Sequence, residues 1–268
     1  MRLGATQQAI RGTCAFGLAC LVTGSVPAAK VQDFCGATIV NNLELDQDLT
    51  CPGDGLTVGT DNIRINLNGH TITGSGSGAG LVVTGRTGIS IQGGTITNFA
   101  TGVRVNTSTD VVIKDNAFVG NPEGIDFQAG SIGNTVKDNR FQASSIRGIM
   151  LRGNVTDNQI KDNTFTDNRV GILVFAGDDN IVKANVISGS SLAGIRFNVF
   201  ANGNLLKENT VMSSAVGIEF IVTPTGSATG NDLRENRIWS NDCGLKGPTA
   251  GNTLKENSFR GNITDTCA

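Results

Sequence analysis

Apolar and polar positions alternate along this chain in runs of three to five residues. Ile149-Met150-Leu151, Ile172-Leu173-Val174 and Ile195-Arg196-Phe197 each place two side chains on one face of an extended segment and one on the other. A period of two predicts strands rather than helices. The runs also recur. Asn134 to Phe141, Asn158 to Phe165, Asn180 to Ile187, Asn204 to Val211, Asn231 to Ile238 and Asn252 to Phe259 share one pattern. It reads asparagine, any residue, aliphatic, Lys or Arg, any residue, asparagine, any residue, apolar. The second asparagine falls at 116, 139, 163, 185, 209, 236 and 257, in steps of 23, 24, 22, 24, 27 and 21. Each repeat also carries a Gly-aliphatic pair, as in Gly102-Val103, Gly124-Ile125, Gly148-Ile149, Gly171-Ile172, Gly194-Ile195 and Gly217-Ile218.

Three short strands and three turns in about 23 residues make one coil of a β-solenoid, whose coils stack in parallel at roughly 4.8 Å. The expected fold is all-β, a single-stranded parallel β-helix of about nine coils. Inward residues should then form columns. Ile72, Ile96, Phe118, Phe141, Phe165, Ile187, Val211, Ile238 and Phe259 make one, and Ile125, Ile149, Ile172, Ile195 and Ile218 another. The second asparagine should form a buried ladder, satisfied by amide-to-amide hydrogen bonds and tolerant of the tight bend beside it.

Composition adds a compartment. Arg2 and Arg11 precede a short apolar stretch from Thr13 to Val26, and Val26-Pro27-Ala28 offers small residues for cleavage. Residues 1–28 are therefore expected to be a signal peptide and 29–268 the β-helix domain, secreted or periplasmic. A lipoprotein signal ending at Cys20 is the alternative. No stretch reaches the roughly 20 apolar residues of a membrane span. Four cysteines remain after cleavage, and an even count in an exported chain predicts disulfides, Cys35 with Cys51 and Cys243 with Cys267. The remaining chain holds 19 basic and 23 acidic residues, a net charge of −4 that disfavours nucleic acid as a partner. One histidine, three methionines and paired cysteines disfavour a copper or other transition-metal role, and no cofactor is expected.

Asn66 to Ile72, preceded by Cys51 to Leu56 and followed by the repeats, resembles the exported parallel β-helix proteins of the pectin-lyase-like superfamily over roughly residues 35 to 262. The resemblance implies a right-handed coil. It also implies a site, where there is one, on the outer face of a sheet. It leaves the chemistry open, because this fold carries lyases, hydrolases, epimerases and non-enzymes. The metal-ligand count above stands against functional similarity to the β-helical accessory protein of nitrous-oxide reductase.

The outward column of the Gly-aliphatic strand reads Thr57, Val82, Arg104, Asp126, Met150, Leu173, Arg196, Glu219 and Lys246. A second, two residues on, reads Asn106, Gln128, Arg152, Phe175, Asn198 and Ile221. Asp126 and Glu219 are four coils apart, roughly 19 Å, too far for the paired carboxyls of a glycosidase, which sit about 5–9.5 Å apart. Lyase or epimerase chemistry needs a base and cations near a uronate carboxyl. Arg104, Asp126 and Arg152 form one such group, and Arg196, Glu219 and Lys246 a second. Phe175 could cover a sugar's apolar face. This points to an acidic polysaccharide as the partner, lyase- or epimerase-like if catalytic. The alternatives are cross-strand ion pairs on a solvated sheet, worth ~0.2–1 kcal/mol each, and a non-catalytic surface scaffold. His70 heads the asparagine column and reads as a turn residue. The stripe from Lys114 to Lys255 is followed directly by acidic residues and reads as a self-compensated edge.

Overall fold

The computed structural model describes residues 21–22, 34–224 and 226–267. The expected signal peptide, with the alternative at Cys20, lies outside these residues except for Leu21–Val22, which pairs in parallel with Thr38 and Ile39. Among the described residues there is no helix; three parallel sheets of 12, 10 and 10 strands run along the molecule. We call them A, B and C. One coil crosses them in turn, as in Thr101–Asn106 (A), Val112–Lys114 (B) and Ala117–Val119 (C). The solenoid has about ten coils, one more than the repeat spacing suggested, because the first coil is built from residues before the repeats become regular.

The expected columns form in the expected register. Ile125 pairs with Ile149, Ile149 with Ile172, Ile172 with Ile195 and Ile195 with Ile218 on sheet A. On sheet C the rings of Phe118, Phe141 and Phe165 stack at 4.9 and 4.7 Å. The glycine before each sheet A aliphatic residue faces these rings. A Cβ on Gly148 would lie 2.7 Å from both the Gly171 carbonyl and Phe165 Cδ1, so only glycine lets the two walls close.

The asparagine column is a continuous hydrogen-bonded ladder. The Asn116 Nδ2 donates to Asn139 Oδ1 at 3.2 Å, Asn139 to Asn163 at 3.1 Å, and Asn163 to Asn185, Asn185 to Asn209 and Asn209 to Asn236 at 3.0 Å each. A second ladder runs through the first asparagine of each repeat, Asn134, Asn158, Asn180, Asn204, Asn231 and Asn252. The third bend carries a mixed column of Asn121, Ser144, Asn168, Ser190, Ser214, Asn241 and Asn262, joined largely through backbone N–H groups. The two asparagine ladders thus have their buried amides satisfied by the coils above and below, whereas in the third column the Ser144 and Ser190 hydroxyls are buried without a partner.

Both disulfides pair as expected, with Cα separations of 5.3 Å for Cys35–Cys51 and 6.2 Å for Cys243–Cys267. The second closes a 24-residue separation and ties the final described coil, whose strands are exposed, to its neighbour. Cys267→Ser is expected to lower stability by about 3 kcal/mol on loop-entropy grounds. Urea denaturation with and without reductant checks it; equal midpoints for the variant and the oxidised parent would rule the contribution out.

Candidate functional site

Sheet A carries the longest strands, and its outward columns stand in the expected register. Arg104 pairs with Asp126, Asp126 with Met150, Met150 with Leu173, Leu173 with Arg196, Arg196 with Glu219 and Glu219 with Lys246. The side chains, however, group differently from the Cα register. Asp126 is bound by Arg152, whose Nε and Nη2 donate to Oδ1 at 2.9 Å and Oδ2 at 2.7 Å, and by Gln128 Nε2, which donates to Oδ2 at 2.7 Å. Arg104 does not join them; it has no hydrogen bond or ion pair through its guanidinium among the described residues. The Asp126 hydrogen bond, opposed by desolvation, raises the Arg152 pKa further above its ordinary value.

The second group does assemble. Glu219 Oε2 lies 3.0 Å from Arg196 Nε, and Oε1 lies 3.5 Å from Lys246 Nζ. The Arg196 contact is within ion-pair distance but is not aligned as a hydrogen bond, so it holds charge more than direction. Neither carboxylate is solvated: Asp126 is 1% exposed and Glu219 4%. A solvated-sheet reading of these pairs is therefore corrected. They are buried carboxylates, neutralised by cations that lie over them, and their loss would leave an unpaired buried charge.

Between the two groups lies an open groove of about 620 Å³. Met150, Leu173 and Phe175 form its apolar part, and Arg152, Asn106, Gln128 and Asn198 border it. Met150 is almost covered, at 8% exposure, contrary to its expected exposure; Phe175 is 38% exposed and is the apolar side chain a ligand would meet. Arg147 also lines the groove and pairs with Glu123 at 3.2 Å. The repeat held the signal for that pair, since each residue directly precedes the glycine of its coil and the two are register partners.

Other sequence features resolve into structure. His70 Nδ1 lies 3.3 Å from Asp48 Oδ1, and the Thr71 N–H donates to the same oxygen at 2.8 Å. The Thr71 bond, partly opposed by desolvation and aided by His70, holds the Asp48 carboxylate below its ordinary pKa. Several lysines of the sheet B stripe pair with the acids that follow them, as in Lys137–Asp138 at 3.4 Å, Lys207–Glu208 at 3.2 Å and Lys207–Glu235 at 3.4 Å. Those acids occupy the single left-handed residue of each bend, with φ of 56 to 59° from Asp115 to Glu256.

Several solved structures share the fold. The A-module of mannuronan C-5 epimerase from Azotobacter vinelandii aligns with 14% identity over 87% of this chain and 78% of its own, at a TM-score of 0.52. An alginate lyase from Paenibacillus sp. aligns with 13% identity over 85% and 91%, at 0.62. The tailspike of Escherichia coli bacteriophage HK620, solved with a hexasaccharide, aligns with 13% identity over 83% of this chain and 50% of its own, at 0.63. No curated protein matches the sequence. The sequence family that matches, over residues 38–225 and 144–266, carries a description that names copper. The donor set here does not fit that ion. Copper takes imidazole, thiolate or thioether ligands, yet Cys35, Cys51, Cys243 and Cys267 are bound in disulfides. His70 faces Asp48, Met150 lies under the sheet A groove and Met212 lies on sheet C. Among the described residues no three histidines, cysteines or carboxylates gather as a metal site. The matched stretches together span most of the sequence and the whole run of coils, and on that ground the chain belongs to the family described as periplasmic copper-binding protein (NosD).

Proposed function

We propose that this protein binds an acidic polysaccharide along the outer face of sheet A, in the periplasm or outside the cell, and does not transform it. The observation that carries the reading is the groove itself: an apolar strip ending in exposed Phe175, bordered by Arg152 and three side-chain amides. A pyranose ring offers that combination of an apolar face and a hydroxyl rim, and concave sites with a few convergent polar groups are the usual ligand sites. Arg104, one coil beyond Asp126 on the same face and free of internal partners, supplies a cation for a uronate carboxylate. The named activities of the alginate lyase and the mannuronan epimerase that share the fold support a uronate polymer as the ligand class. The two disulfides suit an exported protein.

Binding without turnover follows from the state of the carboxylates. A general base needs a free lone pair aimed at the substrate. Both oxygens of Asp126 accept hydrogen bonds from Arg152 and Gln128, and both oxygens of Glu219 face cations. The test is calorimetric titration with oligogalacturonate and oligomannuronate. The parent should bind at low salt and lose affinity as salt rises. Phe175→Ala combined with Arg104→Ala should weaken binding at least about tenfold, or ~1.4 kcal/mol. Arg152 is left intact because its removal would strand Asp126. No unsaturated uronate product should accumulate. Absence of binding to either oligomer at low salt would end this reading.

A further inference from the structure

We infer that a second, separate anionic-sugar platform lies on sheet C, centred on Trp239. The three-residue strands of sheet C bury their middle residue and turn the flanking two outward. Across the ten strands the outward positions include Arg140, Arg237 and Arg260 and not one Asp or Glu. A protein with a formal charge of −2 thus has one sheet face that is purely basic. Two of these arginines flank the chain's single tryptophan. Arg260 is the register partner of Trp239 on the next coil, and the Arg237 guanidinium lies 5.8 Å from the Trp239 ring centroid. Met212 pairs with Trp239 from the other side and widens the apolar surface.

Of the acids nearest this patch, only Asp242, three residues after Trp239 on the bend beyond the strand, is exposed with no cationic or hydrogen-bond partner for its carboxylate among the described residues; the others are engaged. Glu235, two residues before Arg237, pairs with Lys207, and Glu256 pairs with Lys255. Asp265 accepts from Asn262 Nδ2. Arg237 and Arg260 make no ion pair or side-chain hydrogen bond with any described residue, and both are exposed. Trp239 is half-buried, which fixes its ring on the sheet, and its Nε1 makes only a 3.4 Å contact with Ser258 Oγ. A rigid indole face with a nearly free N–H at its edge suits a ring that is apolar on one face and polar at its rim. Two unpaired guanidiniums on adjacent coils suit a carboxylate on that ring, held by two parallel hydrogen bonds. The ligand is therefore a uronate residue of an acidic polysaccharide. That ligand class rests on the reading given for sheet A, whereas the site itself stands on different residues of a different sheet.

The molecule contains its own probe. Trp239 is the only tryptophan and there is no tyrosine, so indole emission reports this platform and not the sheet A groove. Oligogalacturonate added to the full chain should change the emission saturably, and the response should weaken with added salt. Arg237→Ala with Arg260→Ala should raise the concentration for half-saturation at least tenfold. Phe175→Ala with Arg104→Ala should leave the emission titration unchanged while removing the sheet A binding seen by calorimetry. An emission response retained in that variant, with calorimetry unaltered, would refute the sheet A reading alone. Emission that stays fixed while calorimetry registers binding would refute the sheet C platform alone. An equal response to neutral maltooligosaccharides, or a response to single-stranded DNA but not to uronates, would also overturn it.

Discussion

Ile172→Asp is expected to leave the protein unfolded. Ile172 is fully buried, with Ile149 and Ile195 as its neighbours on the coils either side. It belongs to the continuous apolar core that fills the coils. An ionised carboxylate there would lose its hydration with nothing in return, at several kilocalories per mole even after relaxation. The cavity left by the lost aliphatic volume adds roughly 2–4 kcal/mol. A total stability of about 5–15 kcal/mol leaves little margin for both. Circular dichroism during thermal melting reads the result, and a variant with the parental Tm would mean that residue 172 does not face the core.

The next largest effect is expected from breaking the ladder in its middle. Asn185 donates to the Ile160 carbonyl at 2.8 Å and to Asn209 Oδ1 at 3.0 Å, and it accepts from Asn163 N and Nδ2 at 3.0 Å each. Asn185→Leu keeps the volume and removes all four bonds. The Asn163 N–H is then buried without a partner, while the Asn163 amide keeps its bonds to the Val136 and Lys161 carbonyls. At about 1–3 kcal/mol for that stranded group and about 0.5–1.5 kcal/mol for each of the three other bonds lost, the loss is of order 3–7 kcal/mol. Asn257→Leu is the control, because that rung is half-buried and water can reach the groups it abandons. Its cost should be about 1 kcal/mol. Equal urea midpoints for the two variants would show that the ladder is not held by its buried bonds.

These two sites differ in how plainly the sequence announced them. The Ile172 column and the Asn185 ladder repeat one residue type at one step, so the period alone assigns them to an interior. The third bend was not legible, because its column alternates Asn121, Ser144, Asn168 and Ser190 and is tied through backbone N–H groups, which leave no mark in composition. The site was legible as a surface and not as a geometry. Register placed Arg104 beside Asp126, but the longer reach of Arg152 from the adjoining column takes the carboxylate in two bonds. Burial of Asp126 and Glu219 was equally hidden, since it depends on neighbouring side chains folding over an outward position. Met150 was misjudged for the same reason: with Arg147 packed against it, an outward direction does not mean contact with water.

The ladders also give the molecule a direction. In the two all-asparagine columns each amide presents its oxygen to the preceding coil and one N–H to the following coil, from Asn116 onward and from Asn134 onward, without reversal. The dipoles therefore add rather than cancel, as peptide dipoles do along an α-helix, and each bond polarises the next. Their positive ends point toward the later coils. The sheets contribute little field of their own, so these buried side chains act as polarised filaments running from the coil of Asn116 to the last described coils. An anion approaching the coils that carry Arg237 and Arg260 meets a favourable potential from inside the structure as well as from its surface.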